Sequence, residues 1–120
     1  MSRFQKIAEK LISYDLDAMM ITSEPNRLYA AQFHSTAGVA LVTREKSWFF
    51  TDSRYMEAAK KQITGAELRQ NTTDVTLNDL TNEVIRAQGI KKLGFEDQYA
   101  TVAEYNTWKK KLVCEELVPA

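Results

Sequence analysis

Short β-rich runs alternate with segments of helical periodicity along almost the whole of this 120-residue chain, and this alternation constrains the fold more than any other feature. Apolar residues three and four positions apart predict an amphipathic helix over residues 2–13. Four further helices are predicted behind capping residues, at Ser23, at Asp52 or Ser53, at Thr76 and at Thr101. Such alternation is typical of one sheet with helices packed on its faces.

The predicted strands are short. They cover residues 18–21, 39–43, 47–51, 66–70, 93–95 and 113–118. Residues 44–46 are too few for a crossover, so the second and third strands must pair as an antiparallel hairpin. The sequence therefore predicts a single three-layer α/β domain over residues 1–120, with a mixed, mostly parallel sheet and helices on both faces. The expected core comprises Met20, Ile21, Val39, Leu41, Phe50 and Phe95 from strands and Leu11, Ala59, Leu80, Val84 and Tyr105 from helices.

Composition excludes several classes of function. Lys and Arg together number 16, as do Asp and Glu, so no net charge favours nucleic acid or an anionic membrane. No apolar run approaches the roughly 20 residues that a membrane-spanning helix needs. The first residues lack the apolar stretch of a secretory signal, and one cysteine cannot form an internal disulfide. We therefore expect a cytoplasmic protein.

The chain offers little for catalysis by itself. It contains one histidine, His34, and one cysteine, Cys114, which we expect to be a small buried hydrophobe within a strand. Its acids at positions 15 and 17, 96 and 97, and 115 and 116 carry little motif information, and we expect them to be exposed. A two-metal hydrolase needs several converging carboxylates and usually histidine. We therefore expect neither a catalytic residue nor a metal ligand in this chain.

One connection is a candidate for binding. Residues 32–38 read Gln-Phe-His-Ser-Thr-Ala-Gly and join a predicted helix to a strand, a position where binding residues are often found. His34, Ser35 and Thr36 are the polar residues at its centre. A plain helix–strand connection is the alternative interpretation, because short polar loops are common.

A second candidate lies at the start of the third predicted helix. Asp52 is suited to capping that helix, since its carboxylate can accept backbone N–H groups. Arg54 lies in the first turn, where the helix dipole disfavours a cation, so propensity does not explain it. We expect Arg54 to serve a partner, which is either an acid within the domain or a carboxylate of a substrate or another subunit.

Five short motifs occur in the order in which they occur in one known family. They are Asp-Ala-Met-Met-Ile-Thr-Ser at 17–23, Asn-Arg-Leu-Tyr at 26–29, Phe-His-Ser-Thr-Ala-Gly at 33–38, Thr-Asp-Ser-Arg-Tyr at 51–55 and Leu-Gly-Phe-Glu-Asp at 93–97. Together they resemble the N-terminal domain of the creatinase/prolidase/aminopeptidase P family. The chain departs from the family pattern at His34 and Ser35, which stand where Thr and Gly are common.

The resemblance implies that one domain performs catalysis and that this N-terminal domain has a supporting role. A "pita-bread" catalytic domain is expected after residue 120, where two Asp, one His and two Glu would hold a pair of divalent ions, commonly manganese. The N-terminal domain would support dimerisation and shape substrate access to a neighbouring active site, without performing hydrolysis. By this resemblance, the candidate residues for access or for the interface are His34, Ser35, Thr36, Arg54 and Tyr55.

We therefore interpret the chain as the N-terminal domain of a cytosolic Xaa-Pro peptidase, with proline-containing peptides as substrates of the whole protein. The 33–38 connection and the short form of the domain resemble bacterial aminopeptidase P more than proline dipeptidase. A non-catalytic family relative that acts as a binding module is the main alternative. A free-standing ligand-binding α/β domain is a third possibility.

Overall fold

The computed structural model describes residues 3–34 and 38–120. Within that part of the chain, helices and strands follow one another in the order that the sequence pattern predicts. The elements are α1 (Arg3–Ser13), β1 (Ala18–Ile21), α2 (Glu24–Ala31), β2 (Val39–Thr43), β3 (Ser47–Thr51), α3 (Ser53–Gln62), β4 (Glu67–Gln70), α4 (Leu77–Gln88), β5 (Lys92–Phe95), α5 (Val102–Lys111) and β6 (Glu116–Pro119).

The six strands form one sheet in the order β4-β3-β2-β1-β5-β6. β2 is antiparallel to both β1 and β3, whereas the pairs β3–β4, β1–β5 and β5–β6 are parallel. The predicted mixed, mostly parallel sheet with one hairpin is therefore confirmed. β1, β3, β4, β5 and β6 all end at one edge, which we call the carboxyl edge, and β2 begins there.

Two apolar clusters lie on opposite faces of the sheet, because alternate strand residues point to opposite sides. The first cluster lies under α4 and α5 and includes Met20, Leu41 and Phe50. The second lies under α1, α2 and α3 and includes Ile21 and Phe49. The predicted core residues are buried, except for the half-buried Tyr105, which packs against the first cluster. The three-layer prediction is confirmed.

The helices begin where their capping residues predict. The side chains of Ser23, Asp52, Thr76 and Thr101 each accept a backbone N–H from the first turn of the helix that follows. At Thr76 and Thr101 the third helical residue returns the bond, which completes a capping box. These local bonds define where α2, α3, α4 and α5 begin.

The last strand is shorter than predicted. β6 begins at Glu116, whose N–H donates to the carbonyl of Lys91 at 2.9 Å, rather than at residue 113. The buried amide of Asn82 holds the preceding segment away from the sheet by donating to Lys111 O at 2.8 Å and accepting Val113 N–H at 3.0 Å. Residue 114 therefore lies in a connection, and the prediction of a strand there was wrong.

Cys114 is half-buried in that connection and packs against the first cluster. Burial raises the pKa of its thiol, which disfavours the thiolate form. The environment is therefore that of a small apolar side chain, as the sequence predicts, although the predicted location in a strand was wrong.

Candidate functional site

The first candidate segment begins at the carboxyl edge, just past the end of β1. Ser23 caps α2 by accepting Asn26 N–H at 3.4 Å, and Pro25 occupies the first turn, where a missing N–H costs little. The helix is only eight residues long. It buries two alanines, Ala30 and Ala31, at 3% and 4% exposure, so apolar contact alone anchors it weakly.

Glu96 connects the start of this helix to the end of β5, the strand beside β1. It directly follows β5, is 6% exposed, and accepts four hydrogen bonds from the β1–α2 junction. Oε1 receives the backbone N–H groups of Thr22 at 2.7 Å and Ser23 at 2.8 Å. Oε2 receives the Ser23 hydroxyl at 2.6 Å and the Asn26 side-chain amide. The expectation that this acid is exposed was wrong, because its donors lie 70 to 74 positions away in the sequence.

Arg27 is a second charged residue that the sequence argument missed. Its side chain is 4% exposed, and Nη1 donates to the carbonyl of Thr22. Burial lowers the pKa of its guanidinium, while the nearby carboxylates of Glu24 and Glu96 act in the opposite direction. Position 27 is three and four residues before the buried alanines, and this helical spacing could have placed it on the inner face of α2.

His34 lies just after the C-terminal end of α2. Its Nε2 lies 2.7 Å from Oε1 of Glu24, which is in the first turn of α2. Both side chains are largely exposed, at 64% and 50%. The contact joins the two ends of the segment that leads from β1 to β2. Ser35 and Thr36 lie outside the described residues.

Asp52 and Arg54 form the second candidate segment, after β3. The carboxylate of Asp52 caps α3 by accepting Arg54 N–H at 3.0 Å, and it also binds the Arg54 guanidinium, with Nη2 to Oδ2 at 2.7 Å. The guanidinium holds the pKa of Asp52 below its usual value, and the carboxylate raises that of Arg54. Arg54 therefore has an acid within the domain as partner, while its side chain remains 64% exposed.

Aromatic packing brings the two segments together. The ring of Phe33 meets those of Phe49 and Tyr55 edge to face, with centroids 6.2 and 6.3 Å apart. The Arg54 guanidinium lies 5.2 Å from the centroid of the Tyr55 ring. The packing of Phe33 on Tyr55 thus places the residues just before the undescribed positions 35–37 beside the start of α3, at one edge of the sheet.

Three carboxylates at this edge already have protein partners. Glu96 binds the β1–α2 junction, Asp52 binds Arg54, and Glu24 binds His34. Among residues 3–34 and 38–120, no group of three or more His, Cys, Asp or Glu side chains could hold a metal ion. Across those same ranges, no helix has the length and apolar character needed to cross a membrane.

An open cleft of about 410 Å³ runs beside α1 and reaches the carboxyl edge. Its walls are mostly apolar, and its lining includes Asn26 and Glu96 at the carboxyl edge. The lining residues are Ile7, Lys10, Leu11, Tyr14, Leu16, Met19, Ile21, Asn26, Tyr29, Glu96 and Ala120. Apolar walls with a few convergent polar groups are common in sites that bind small molecules or peptides.

Comparison with known proteins identifies the architecture. The family profile described as Creatinase/Prolidase N-terminal domain matches residues 3–120. The chain belongs to this family. A member of similar sequence is the uncharacterized peptidase YqhT of Bacillus subtilis, 33% identical over 117 residues, which cover 98% of this chain and 33% of YqhT.

Solved structures of related proteins share the creatinase N-terminal-domain fold. The Xaa-Pro dipeptidase from Bacillus anthracis superposes with a TM-score of 0.90 at 31% identity, over 98% of this chain and 32% of the dipeptidase. The N-terminal domain of the cytoplasmic peptidase PepQ from Mycobacterium tuberculosis H37Rv gives 0.85 at 28% identity, over 98% and 92% of the two chains. The chain thus spans about a third of the full-length relatives and nearly all of an isolated N-terminal domain.

Proposed function

We propose that this chain is the non-catalytic N-terminal domain of a metal-dependent Xaa-Pro peptidase, either an aminopeptidase P or a proline dipeptidase. The observation that carries the proposal is the match along 98% of the chain to a peptidase at 33% identity and to an Xaa-Pro dipeptidase at 31%. The relatives' names supply the reaction class, and the proposal transfers that class to the whole protein of which this domain is a part.

The chemistry would reside in a pita-bread catalytic domain after residue 120. That domain would hold two divalent ions, commonly manganese, which activate a water molecule to cleave the bond before proline. The partners of the domain would be this catalytic domain and a second subunit in a homodimer. A cytoplasmic location is part of the proposal, and the name of the relative PepQ as a cytoplasmic peptidase supports it.

Within this scheme, the carboxyl edge would face the active site of a neighbouring subunit. His34 and Arg54 are each 64% exposed, and the packing of Phe33 on Tyr55 keeps their two segments side by side. A guanidinium can bind the carboxylate of a peptide by two parallel hydrogen bonds. We assign to His34, Ser35, Thr36, Arg54 and Tyr55 the shaping of substrate access, and no catalytic step.

The first test asks whether the isolated chain has peptidase activity. The isolated chain with added manganese should cleave no Xaa-Pro peptide above a control without protein. Metal-dependent turnover that survives repurification would contradict the non-catalytic role.

The second test is kinetic and uses the full-length peptidase. His34→Ala and Arg54→Ala should change KM or kcat/KM on short and long Xaa-Pro peptides and leave the melting temperature nearly unaltered. Arg86→Ala is the matched control, since Arg86 is an exposed arginine in the last turn of α4. Unchanged constants in both variants would show that this edge takes no part in substrate access.

The alternative function is a binding module in a family member without metal ligands. The cleft beside α1 is the observation that favours it, because its walls are mainly apolar and Lys10 and Tyr29 add polar groups. Equilibrium titration of the isolated chain with proline-containing peptides tests this alternative. Saturable binding that is lost on Tyr29→Ala would support it, and no binding at millimolar peptide would reject it.

A further inference from the structure

We propose that Glu96 is the positioning residue of the candidate site: its buried carboxylate takes the place of a bound anion between β1 and β5 and thereby sets the position of α2 and of the connection that carries His34. The structural part of this inference stands alone. Its kinetic consequence rests on the proposed function of the carboxyl edge.

The location is one where open α/β sheets bind ligands. From β1 the chain moves outward through β2, β3 and β4, and then returns to the other side of β1 to form β5 and β6. The strand order therefore reverses between β1 and β5, and the crevice at the carboxyl ends of such strands is the usual ligand position. Here the Glu96 carboxylate lies in that crevice at the start of α2.

The carboxylate is bound as a ligand would be. Each of its two oxygens receives two donors, and all four donors belong to Thr22, Ser23 and Asn26. The backbone of Glu96 is anchored at its other end, since its carbonyl accepts the N–H groups of Tyr99 at 3.2 Å and Ala100 at 2.9 Å. One residue therefore joins the β1–α2 junction to the turn that precedes α5.

α2 has little apolar surface of its own to hold it against the sheet. Eight residues are too few for a helix that is stable by itself. Leu28 and Tyr29 are 45% and 47% exposed, and the apolar side chains that α2 buries are two alanines. With so little apolar burial, the charge-assisted bonds at its first turn determine where the helix lies.

The position of His34 follows from that of α2. Glu24, which contacts His34, lies in the same first turn that Glu96 holds. Gln32, which follows the last residue of α2, adopts the left-handed conformation at a φ of 55°, directly before Phe33 and His34. A shift of the first turn therefore moves both the Glu24 carboxylate and the start of the connection.

The experiment measures amide hydrogen exchange of the folded chain by NMR, for wild type and for Glu96→Ala. Exchange should accelerate about tenfold to a hundredfold at residues 22–32, the factor expected from losing one or two charge-assisted hydrogen bonds. Amides of β2 and β3 should remain protected. Asp97→Ala removes the neighbouring exposed acid and should leave the whole pattern unchanged.

Rescue by a small carboxylate separates a positioning role from general stabilisation. Glu96 lines the open cleft beside α1, so a solute can reach the space that the truncation leaves. Formate should restore protection of residues 22–32 in Glu96→Ala, and chloride at equal ionic strength should not. Uniform acceleration across all strands, or equal effects of formate and chloride, would overturn the inference.

A milder variant covers the case in which Glu96→Ala does not fold. Glu96→Gln keeps the shape of the side chain and one acceptor oxygen, but it removes the charge and replaces the other oxygen by an amide donor. Faster exchange confined to residues 22–32 supports the inference, and uniform acceleration again overturns it.

Kinetics of the full-length peptidase distinguish this inference from the proposed function. If the carboxyl edge shapes substrate access, Glu96→Ala should change KM or kcat/KM in the same direction as His34→Ala, and formate should reverse the effect. If exchange in Glu96→Ala accelerates only at residues 22–32 and the kinetics of both variants are unchanged, the positioning role of Glu96 is retained and the access role is rejected. If His34→Ala alters the kinetics but Glu96→Ala accelerates exchange uniformly, the access role is retained and the positioning role of Glu96 is rejected.

Discussion

Truncating Phe50 to alanine tests the packing of the sheet against α4 and α5. Phe50 has no exposed surface and belongs to the first cluster, with Val39 as its neighbour in the ladder between β2 and β3. Removing a fully buried aromatic ring typically costs about 3–5 kcal/mol, because both transfer energy and packing contacts are lost. A domain of this size is stabilised by roughly 5–15 kcal/mol in total. The loss is a large fraction of that total, so the variant should melt at a much lower temperature than the wild type.

The expected change in melting temperature follows from the entropy of unfolding. At about 2.1 cal/mol/K per residue, a loss of 3–5 kcal/mol lowers Tm by roughly 12–20 °C for 120 residues. Thermal unfolding followed by circular dichroism measures this shift. Tyr14→Ala is the control, since Tyr14 is aromatic but 68% exposed, and its Tm should change by about 2 °C or less. Equal, small shifts in both variants would show that the Phe50 ring does not fill this cluster.

Three other perturbations test local features of the fold. Gly38→Ala should destabilise the domain by about 1–3 kcal/mol in urea unfolding, because φ is +144° and the new Cβ would lie 2.7 Å from the carbonyl oxygen of Phe50; an unchanged midpoint would contradict that geometry. Thr76→Ala removes the side-chain half of a capping box and should cost about 1 kcal/mol, whereas Thr76→Ser should cost almost nothing. Asp17→Asn should lower stability by about 1 kcal/mol at pH 7, since the carboxylate accepts the N–H groups of Lys91 and Lys92. Those bonds hold the pKa of Asp17 below its unfolded value, so the wild-type advantage should be complete at neutral pH and shrink below about pH 5; a constant difference from pH 7 to pH 3 would refute this linkage.

Local chemistry made most of the fold predictable from the sequence. Thr76 and Asp79 satisfy each other's backbone N–H groups within four residues, so their capping box needs no tertiary context. The three-residue connection between β2 and β3 likewise leaves the antiparallel hairpin as the sole arrangement that the chain can adopt. Where the determining atoms are neighbours in sequence, pattern and structure agree.

The features that the sequence did not predict depend on partners that are distant in sequence. Nothing near Glu96 distinguishes it from the exposed Asp97 beside it, because the donors that bury it lie at Thr22, Ser23 and Asn26. The start of β6 was misplaced for the same reason, since Asn82, 31 positions earlier than Val113, holds the connection out of the ladder. A buried acid is recognisable once the sheet topology brings the ends of β1 and β5 together, and no earlier.

The carboxylate of Asp52 both caps α3 and pairs with Arg54. The sequence predicts Asp52 as the helix cap and an acid of the domain, a substrate or another subunit as the partner of Arg54, and Asp52 performs both tasks. This ion pair explains a cation in the first turn, because the adjacent carboxylate offsets the unfavourable helix dipole. The ion pair does not use every donor of the guanidinium, and the Arg54 side chain remains 64% exposed to solvent. Exposed ion pairs contribute little to stability, so under the proposed access role Arg54 would exchange Asp52 for a substrate carboxylate at small cost. A change in kcat/KM with an unaltered Tm in Arg54→Ala would therefore report on that exchange rather than on the fold.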